Sequence, residues 1–335
     1  MGFGVWDVGF GILTALLQQV RRTIRRHDLC PLGSRVLVAL SGGSDSVGLT
    51  FLLRELAVPL AGLAHFNHRL RPTAAGDEQF CRQLAARLNL PIVVGDLEVR
   101  EYAATERLGI EEAARRARYA FLHRSAAYLD ADRIGVGHTR DDQAETFLLK
   151  LIRGAGLAGL GGIYPRRGAL VRPLLDVSRD DVRRYLNGLG EGWVDDESNA
   201  DLTNPRNRVR HRVLPELDAA YGRPTSGAIA RAAGLVREDG SWLDDQAAAR
   251  YLELARSDSE GVTLVAVALL AEPAPLRRRI LLTALRDVAG MREVALEHVE
   301  TAADILTGSS SGADVPGARL ELRRGKLVLT RRGGG

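Results

Sequence analysis

The chain has 335 residues, of which 45% are hydrophobic and 26% charged, a balance that suits about two globular domains and excludes a mainly disordered protein. The formal net charge of +4 is compatible with a polyanionic partner without requiring one, and Lys150 and Lys326 are the only lysines. The two cysteines, Cys30 and Cys81, lack a C-x-x-C spacing, which argues against a disulfide framework or a cysteine zinc site and suits a reducing, cytoplasmic setting.

Residues 1–17 are apolar but carry Asp7 and no basic leading segment, so they read as a helix rather than a signal peptide. No apolar run reaches the roughly 18 residues of a membrane span, so no membrane partner is expected. From residue 35 onward short apolar runs (36–40, 60–65, 92–94, 134–136) alternate with stretches of helical periodicity (46–56, 73–88, 110–129, 141–152). A further unit spans 170–189, after a glycine-rich loop at 154–162. This alternation predicts an α/β fold with a doubly wound, mostly parallel sheet. Beyond Pro215 the composition turns helix-rich over 223–306, and alternating segments at 319–322 and 327–330 predict a terminal hairpin around Arg324-Gly325-Lys326. The expected domains are therefore 1–215, carrying the chemistry, and a smaller helical domain at 216–335.

Directly after the first strand stands Ser41-Gly42-Gly43-Ser44-Asp45-Ser46, followed by a helix. Glycines let successive N–H groups converge on an anion, and the helix adds its positive N-terminal end. A bare Ser-Gly-Gly turn with Ser44 or Asp45 capping the helix would look similar. The loop is neither a Walker A nor a G-x-G-x-x-G sequence, so P-loop kinases and dinucleotide enzymes are disfavoured. Two further segments, His65-Phe66-Asn67-His68-Arg69-Leu70-Arg71 and His138-Thr139-Arg140-Asp141-Asp142-Gln143-Ala144-Glu145-Thr146, fall at carboxyl ends of predicted strands, where open α/β sheets bind ligands. Asp142 and Glu145, three apart, share a helix face and could hold a divalent ion or take protons; acids in a first helical turn also stabilise the helix dipole without chemistry. Glu111 and Arg115 in Glu111-Glu112-Ala113-Ala114-Arg115-Arg116-Ala117-Arg118-Tyr119 have the spacing of a surface ion pair.

The S-G-G-x-D-S loop resembles the PP-loop of ATP pyrophosphatases, which implies transfer of AMP rather than of the γ-phosphoryl group. Together the four segments resemble the tRNA(Ile)-lysidine synthases, which combine S-G-G-x-D-S, N-H-x-L-R, G-I-E-x-x-A-R-x-x-R-Y and D-D-Q-x-E-T. Arg153-Gly154-Ala155-Gly156-Leu157, Arg172-Pro173-Leu174-Leu175, Asp196-Glu197-Ser198-Asn199 and Arg206-Asn207-Arg208-Val209-Arg210-His211 also match, so the resemblance covers roughly residues 35–215. Thr139-Arg140 departs from the more usual His-Leu.

The resemblance implies ATP as co-substrate, Mg²⁺, L-lysine and a tRNA(Ile) with a CAU anticodon, with lysine joined to C2 of the wobble cytidine through an adenylated intermediate. Ser41, Gly42, Gly43, Ser44, Asp45 and Ser46 would hold the phosphates and His138 would shape the nucleotide pocket. Asp142, the expected metal ligand, and Glu145 would organise Mg²⁺ and receive the lysine ammonium. Arg118, with Arg115 second, would meet charge on the α-phosphate. Arg277-Arg278-Arg279, Arg323-Arg324 and Arg331-Arg332 are candidate tRNA phosphate contacts, and a homodimer is expected. Two alternatives stand beside this reading. A tRNA 2-thiolation enzyme would make the same adenylate, though such enzymes resemble one another in needing paired or clustered cysteines. A nucleotide-gated RNA-binding protein without catalysis would be expected to have lost Asp45, Asp142 or Glu145.

Overall fold

The computed structural model describes residues 5–67, 74–195, 201–290 and 294–332. The chain divides into two compact units, Met1–Leu235 and Val236–Gly335. The division falls beyond the composition change at Pro215, because Val209, Leu214 and Ile229 pack with Ala144, Leu148 and Leu149 and so belong to the first unit.

In the first unit α1 (Val5–Arg26) precedes β1 (Val36–Ala39), α2 (Ser44–Glu55), β2 (Leu60–Asn67), α3 (Ala74–Arg87), β3 (Ile92–Asp96), α4 (Val99–Glu106) and α5 (Ile110–Tyr128). Then come β4 (Arg133–Gly135), α6 (Arg140–Ile152), the short α7 (Leu157–Leu160), β5 (Arg166–Arg167), β6 (Leu170–Val171) and α8 (Arg179–Leu189). The strand order is β3-β2-β1-β4-β6-β5, parallel throughout except for the antiparallel β5 edge. The doubly wound sheet expected from the alternating pattern is thus present.

Successive residues of a strand face opposite ways, and β1 uses both faces. Val36 and Val38 enter a core with Leu16 and Val20 of α1, Leu49 and Leu52 of α2, Leu84 of α3 and Leu186 of α8, while Leu37 faces Phe121 and Leu122 of α5. The chain leaves β1 toward β2 and β3 on one side and returns to β4 on the other. That reversal opens a crevice at the carboxyl ends of β1 and β4, the usual ligand position in such sheets.

Beyond α8, α9 (Pro205–Arg208) runs through a π-helical turn at Val209–Val213 into α10 (Leu214–Tyr221), followed by α11 (Ser226–Leu254). The second unit holds β7 (Ala255–Ser257), β8 (Gly261–Val265), α12 (Ala266–Ala271), α13 (Ala274–Ala289), α14 (Leu296–Leu306), β9 (Gly312–Val315), β10 (Ala318–Arg323) and β11 (Lys326–Arg331). The expected hairpin is β10–β11, paired from Ala318↔Arg331 to Arg323↔Lys326, but it sits inside a five-stranded antiparallel sheet of order β7-β8-β11-β10-β9. Strands β7 and β8 interrupt a stretch whose composition reads as helix. Val262 and Leu264 alternate inward there, and Asp258 closes the turn by accepting the N–H groups of Glu260 and Gly261 at 2.8 and 2.9 Å. Leu281 and Leu285 of α13 and Ile305 of α14 cover one sheet face over Leu320, Leu327 and Leu329. Among the described residues no helix is long and apolar enough to cross a membrane.

Helix α8 is held to the core by Val182, Tyr185 and Leu186. Leu186→Ala is expected to cost about 2–5 kcal/mol, the usual range for emptying a fully buried leucine site. A urea-denaturation midpoint of the first unit unchanged from wild type would show that α8 is not docked through this residue.

Candidate active site

The crevice is a cleft of about 710 Å³ lined from the phosphate loop, β2, α5, α6, α8 and the π-helical turn. Its floor begins with the loop after β1. Gly42 has φ +94, a conformation that side chains rarely adopt, and its carbonyl accepts the Val194 N–H at 3.0 Å. Ser46 Oγ accepts the Ser41 N–H at 3.1 Å and donates to the Gly43 carbonyl at 3.0 Å, closing the loop over the first turn of α2. Gly43 is the N-cap and its carbonyl accepts the Ser46 and Val47 N–H groups, both at 3.1 Å, which leaves the N–H groups of Ser44 and Asp45 without a partner inside the helix. Gly137, at the end of β4, passes so close to α2 that a Cβ there would lie 2.8 Å from the backbone of Asp45.

Helix α6 starts with a capping box, in which Asp142 Oδ2 accepts the Thr139 N–H at 2.8 Å and the Thr139 hydroxyl at 3.0 Å. Helix α8 starts on Ser178, whose Oγ accepts the Asp181 N–H at 3.1 Å. The two helix starts are tied together by Arg179 N–H to Asp141 Oδ2 at 2.8 Å and Arg140 N–H to the Val177 carbonyl at 2.8 Å. This places Arg179 among three carboxylates: its Nε donates to Asp45 Oδ2 and its Nη2 to Asp142 Oδ1, both at 3.0 Å, and its Nη1 lies 3.7 Å from Glu145 Oε1.

Two more arginines approach from the other side. Arg206 donates to Glu145 Oε2 at 2.7 Å and to Asp142 Oδ1 at 3.0 Å, and Arg210, in the π-helical turn, donates to Glu145 Oε1 at 2.6 Å and Oε2 at 3.1 Å. Glu145 is 0% exposed and Asp142 6%. Charges buried this deeply persist only when paired, and deleting one partner typically costs about 3–5 kcal/mol. Burial works against charge on Asp142, but Arg179 and Arg206 outweigh it, with help from the Thr139 N–H, and hold the carboxyl well below the usual range. Asp45 goes the other way: burial, with Asp142 nearby, pushes it up against the pull of Arg179.

The structure brings together nearly all the residues expected at the site. Ser41, Gly43, Ser44, Asp45, Ser46, Arg118, His138 and Asp142 line the cleft, with Gly42 and Glu145 immediately behind them. Arg118 stacks on Tyr119 at 5.2 Å, and its buried Nε has no hydrogen-bond partner among the described residues. Arg118 as a residue lines the cleft, where a guanidinium suits a phosphate oxygen. Arg115 does not line the cleft; it lies over the Tyr119 ring at 5.6 Å and 3.8 Å from Glu112, on a largely exposed face. His68 to Arg71 and Asp196 to Asn199 lie outside the described residues.

Sequence reasoning did not single out Arg179, Arg183 or Gly137. Arg206 and Arg210 appeared only as matching text, without a role. Arg183 reaches Ser44 Oγ at 3.4 Å from α8, one turn beyond Arg179. The available signal was Ser178 ahead of acidic residues, which marks a helix start but not what its arginines face.

The donor set can be tested for Mg²⁺. Every oxygen of Asp142 and Glu145 is taken by Thr139 or by arginine, and among the described residues no group of three or more His, Cys, Asp and Glu side chains is arranged to hold a metal. As held here, these carboxylates do not fit a magnesium site, which needs near-octahedral oxygen ligands at about 2.0–2.1 Å.

A parallel sheet with a glycine-serine loop at its switch point and an arginine on the wall of the cleft has the make-up of a PP-loop ATP-binding domain. The family model described as "PP-loop domain" matches residues 16–217. A tRNA(Ile)-lysidine synthase of Geobacter sulfurreducens is 38% identical over 95% of this chain and 67% of its own length. One from Symbiobacterium thermophilum is 37% identical over 94% of this chain and 69% of its own. Among solved structures, the U34-tRNA thiolase NcsA from Methanococcus maripaludis superposes with a TM-score of 0.53 at 20% identity, covering 68% of this chain and 79% of that one, a likeness of fold alone. The chain belongs to the tRNA(Ile)-lysidine synthase family, a family of enzymes that form a carbon–nitrogen bond.

Because the neighbour at Gly137 is backbone, which cannot swing aside, Gly137→Ala should push α2 and its phosphate loop off the end of β4. Affinity for a non-hydrolysable ATP analogue is expected to fall at least about tenfold, equivalent to roughly 1.4 kcal/mol. Calorimetric titration giving wild-type affinity would show that the close approach does not set the loop.

Proposed function

We propose that this protein ligates L-lysine to C2 of the wobble cytidine of a tRNA(Ile) bearing a CAU anticodon, using ATP. The C2 oxygen attacks the α-phosphorus, the bond to the β-phosphate oxygen breaks and pyrophosphate leaves. The lysine amine then attacks C2, the C2–O bond breaks and AMP leaves, the amine giving up a proton. The observation that carries the reading is the combination, at one crevice, of a PP-loop and Arg118 with two buried carboxylates whose partners, apart from the Thr139 cap on Asp142, are arginines.

The geometry supports the following roles. Ser41 to Ser46 and the N-terminal end of α2 receive the phosphates that leave, and Arg118, on the cleft wall, meets the α-phosphate. Arg115, stacked on the same tyrosine and exposed, supports Arg118 from outside. Asp142 and Glu145 receive the lysine ammonium and orient it for deprotonation. In the described arrangement they are occupied by Arg179, Arg206 and Arg210. A triphosphate offers these guanidiniums better-placed oxygens, and an ammonium then replaces them on the carboxylates, so each charge exchanges one partner for another of the same sign. Since the carboxylates as held do not fit Mg²⁺, no step is assigned to the ion.

The second unit is assigned to tRNA binding. Several of its arginines are already engaged: Arg279 with Asp244, Arg331 with the Asp258 carbonyl, Arg332 with Asp314 and Arg319 with Asp314 and Glu321. Lys326 and Arg324, at the exposed turn of the β10–β11 hairpin, remain the better candidates for phosphate contacts.

A thiolation reading is disfavoured by the thiols. Cys81 is fully buried against the phosphate loop and burial pushes it up to about 12; burial likewise pushes Cys30 up to about 11, so neither is poised as a thiolate.

The test follows pyrophosphate release and radiolabelled lysine in parallel, with ATP and CAU-anticodon tRNA(Ile). Incorporation dependent on both is expected. Asp142→Asn should lower lysine incorporation about a hundredfold or more while retaining the circular dichroism of the wild type. Pyrophosphate release without lysine transfer in the wild type would point to another nucleophile, and no release at all would favour a binding protein.

A further inference from the structure

Gln143 takes no part in the ion network although it lies between Asp142 and Glu145, and it is 2% exposed. Its side chain faces the glycine-rich loop instead, where Oε1 accepts the Ile163 N–H at 2.6 Å and Nε2 donates to the Gly161 carbonyl at 3.1 Å. The loop pinned in this way presents the carbonyl of Tyr164, to which Arg172 Nη1 donates at 2.6 Å. Arg172 is 6% exposed and donates its Nε–H to His138 Nδ1 at 3.0 Å. The sheet register brings the last two together: Gly135 pairs with Val171, and the Val136 N–H donates to the Val171 carbonyl at 2.9 Å, so the residues just beyond these strand ends meet at the cleft.

A guanidinium carries donors only. Nδ1 of His138 must therefore be an acceptor, and the proton of the neutral ring sits on Nε2. The charged groups around the ring are Asp142, which favours an imidazolium, and Arg172, Arg118 and Arg206, which oppose it. Burial is the largest influence, acts with the arginines, and pushes the ring down to about 3.

We propose that Arg172 is a positioning residue that holds His138 as its neutral Nε2–H tautomer, giving the cleft a fixed hydrogen-bond donor for an oxygen or ring-nitrogen acceptor on the bound nucleotide or base. The proposal rests on the reading of the cleft as the ATP site. Without Arg172 the ring would exchange tautomers and present an acceptor part of the time, which would repel the same ligand atom. The loop held by Gln143 is then part of the device, since it fixes the carbonyl that orients Arg172.

The test is the nitrogen-15 spectrum of protein labelled at its histidine ring nitrogens, the His138 signals being assigned by their loss in His138→Gln. An unprotonated Nδ1 with a protonated Nε2 is expected in the wild type. Arg172→Met should move both signals to the averaged shifts of a tautomer-exchanging ring and raise KM for ATP about tenfold, the upper range for one lost hydrogen bond. Because the effect passes through His138, adding Arg172→Met to His138→Gln should change KM less than about twofold. A protonated Nδ1 in the wild type overturns the proposal even if the Arg172 variant does not fold, and so does full additivity in the double variant. Failure of the wild type to bind an ATP analogue, with the tautomer as expected, would instead overturn the ATP reading and with it the ligand assigned to this donor.

Discussion

The constraint on which the rest of the site depends is the pairing of three carboxylates with three guanidiniums at the mouth of the β1–β4 crevice. Asp45 comes from α2, Asp142 and Glu145 from α6, and the arginines from α8, α9 and the π-helical turn. Charged groups this close to the interior need partners, so each segment that supplies one has to arrive at the crevice for the others to be tolerated there. This explains the length of the first unit. Residues 205–235 are not a separate helical appendage but the segment that brings Arg206 and Arg210 onto Glu145, with Val209 and Leu214 packing on α6 to hold it.

The same network sets how the cleft can respond to ligands. Its pairs are charge-assisted, short and mutually saturating, yet they are between long side chains at a cleft rather than between backbone groups. On the proposed reading, an incoming triphosphate and an incoming ammonium each offer a partner of the sign already present. The site then changes partners without ever leaving a buried charge bare, which is the expensive alternative. The π-helical turn at Val209–Val213 fits this requirement, since π turns within helices concentrate at functional positions and loosen the local ladder.

Much of this was legible in the sequence, for identifiable reasons. The apolar runs and helical stretches gave the parallel sheet because βα alternation has few other solutions, and the phosphate loop was visible because glycine and serine between a strand and a helix leave a short, contiguous signature. Arg179 was not legible, because its role depends on the angle at which α8 meets α6, a tertiary fact without local trace. Gly137 was hidden for a similar reason: its need for a missing Cβ arises from the backbone of a residue far away in the chain. Strands β7 and β8 were lost inside helix-rich text because each is short and only 261–265 alternates. Helical spacing puts Arg115 near Arg118 but cannot say which of the two lines the cleft; in the structure Arg118 does, while both lie over the Tyr119 ring.

Helix α6 shows why a contiguous motif should not be equated with a set of catalytic groups. Thr139 and Asp142 cap the helix, Asp141 accepts the first N–H of α8, and Thr146 Oγ1 donates to the Asp142 carbonyl at 2.7 Å. Gln143 fixes a loop, and only Asp142 and Glu145 face the network of arginines. Loss of activity on changing any one of these residues therefore has two sources, a helix start that no longer holds α8 and a cleft that no longer holds substrate. The two separate in their readout: both lower the stability of the free protein, since the cleft carboxylates are themselves buried ion-pair partners, but only the second also appears in the binding or turnover of a variant that is still folded. On the present geometry Asp142 carries both, through Oδ2 to the cap and Oδ1 to the cleft, so its two oxygens divide a structural from a chemical function within one carboxylate.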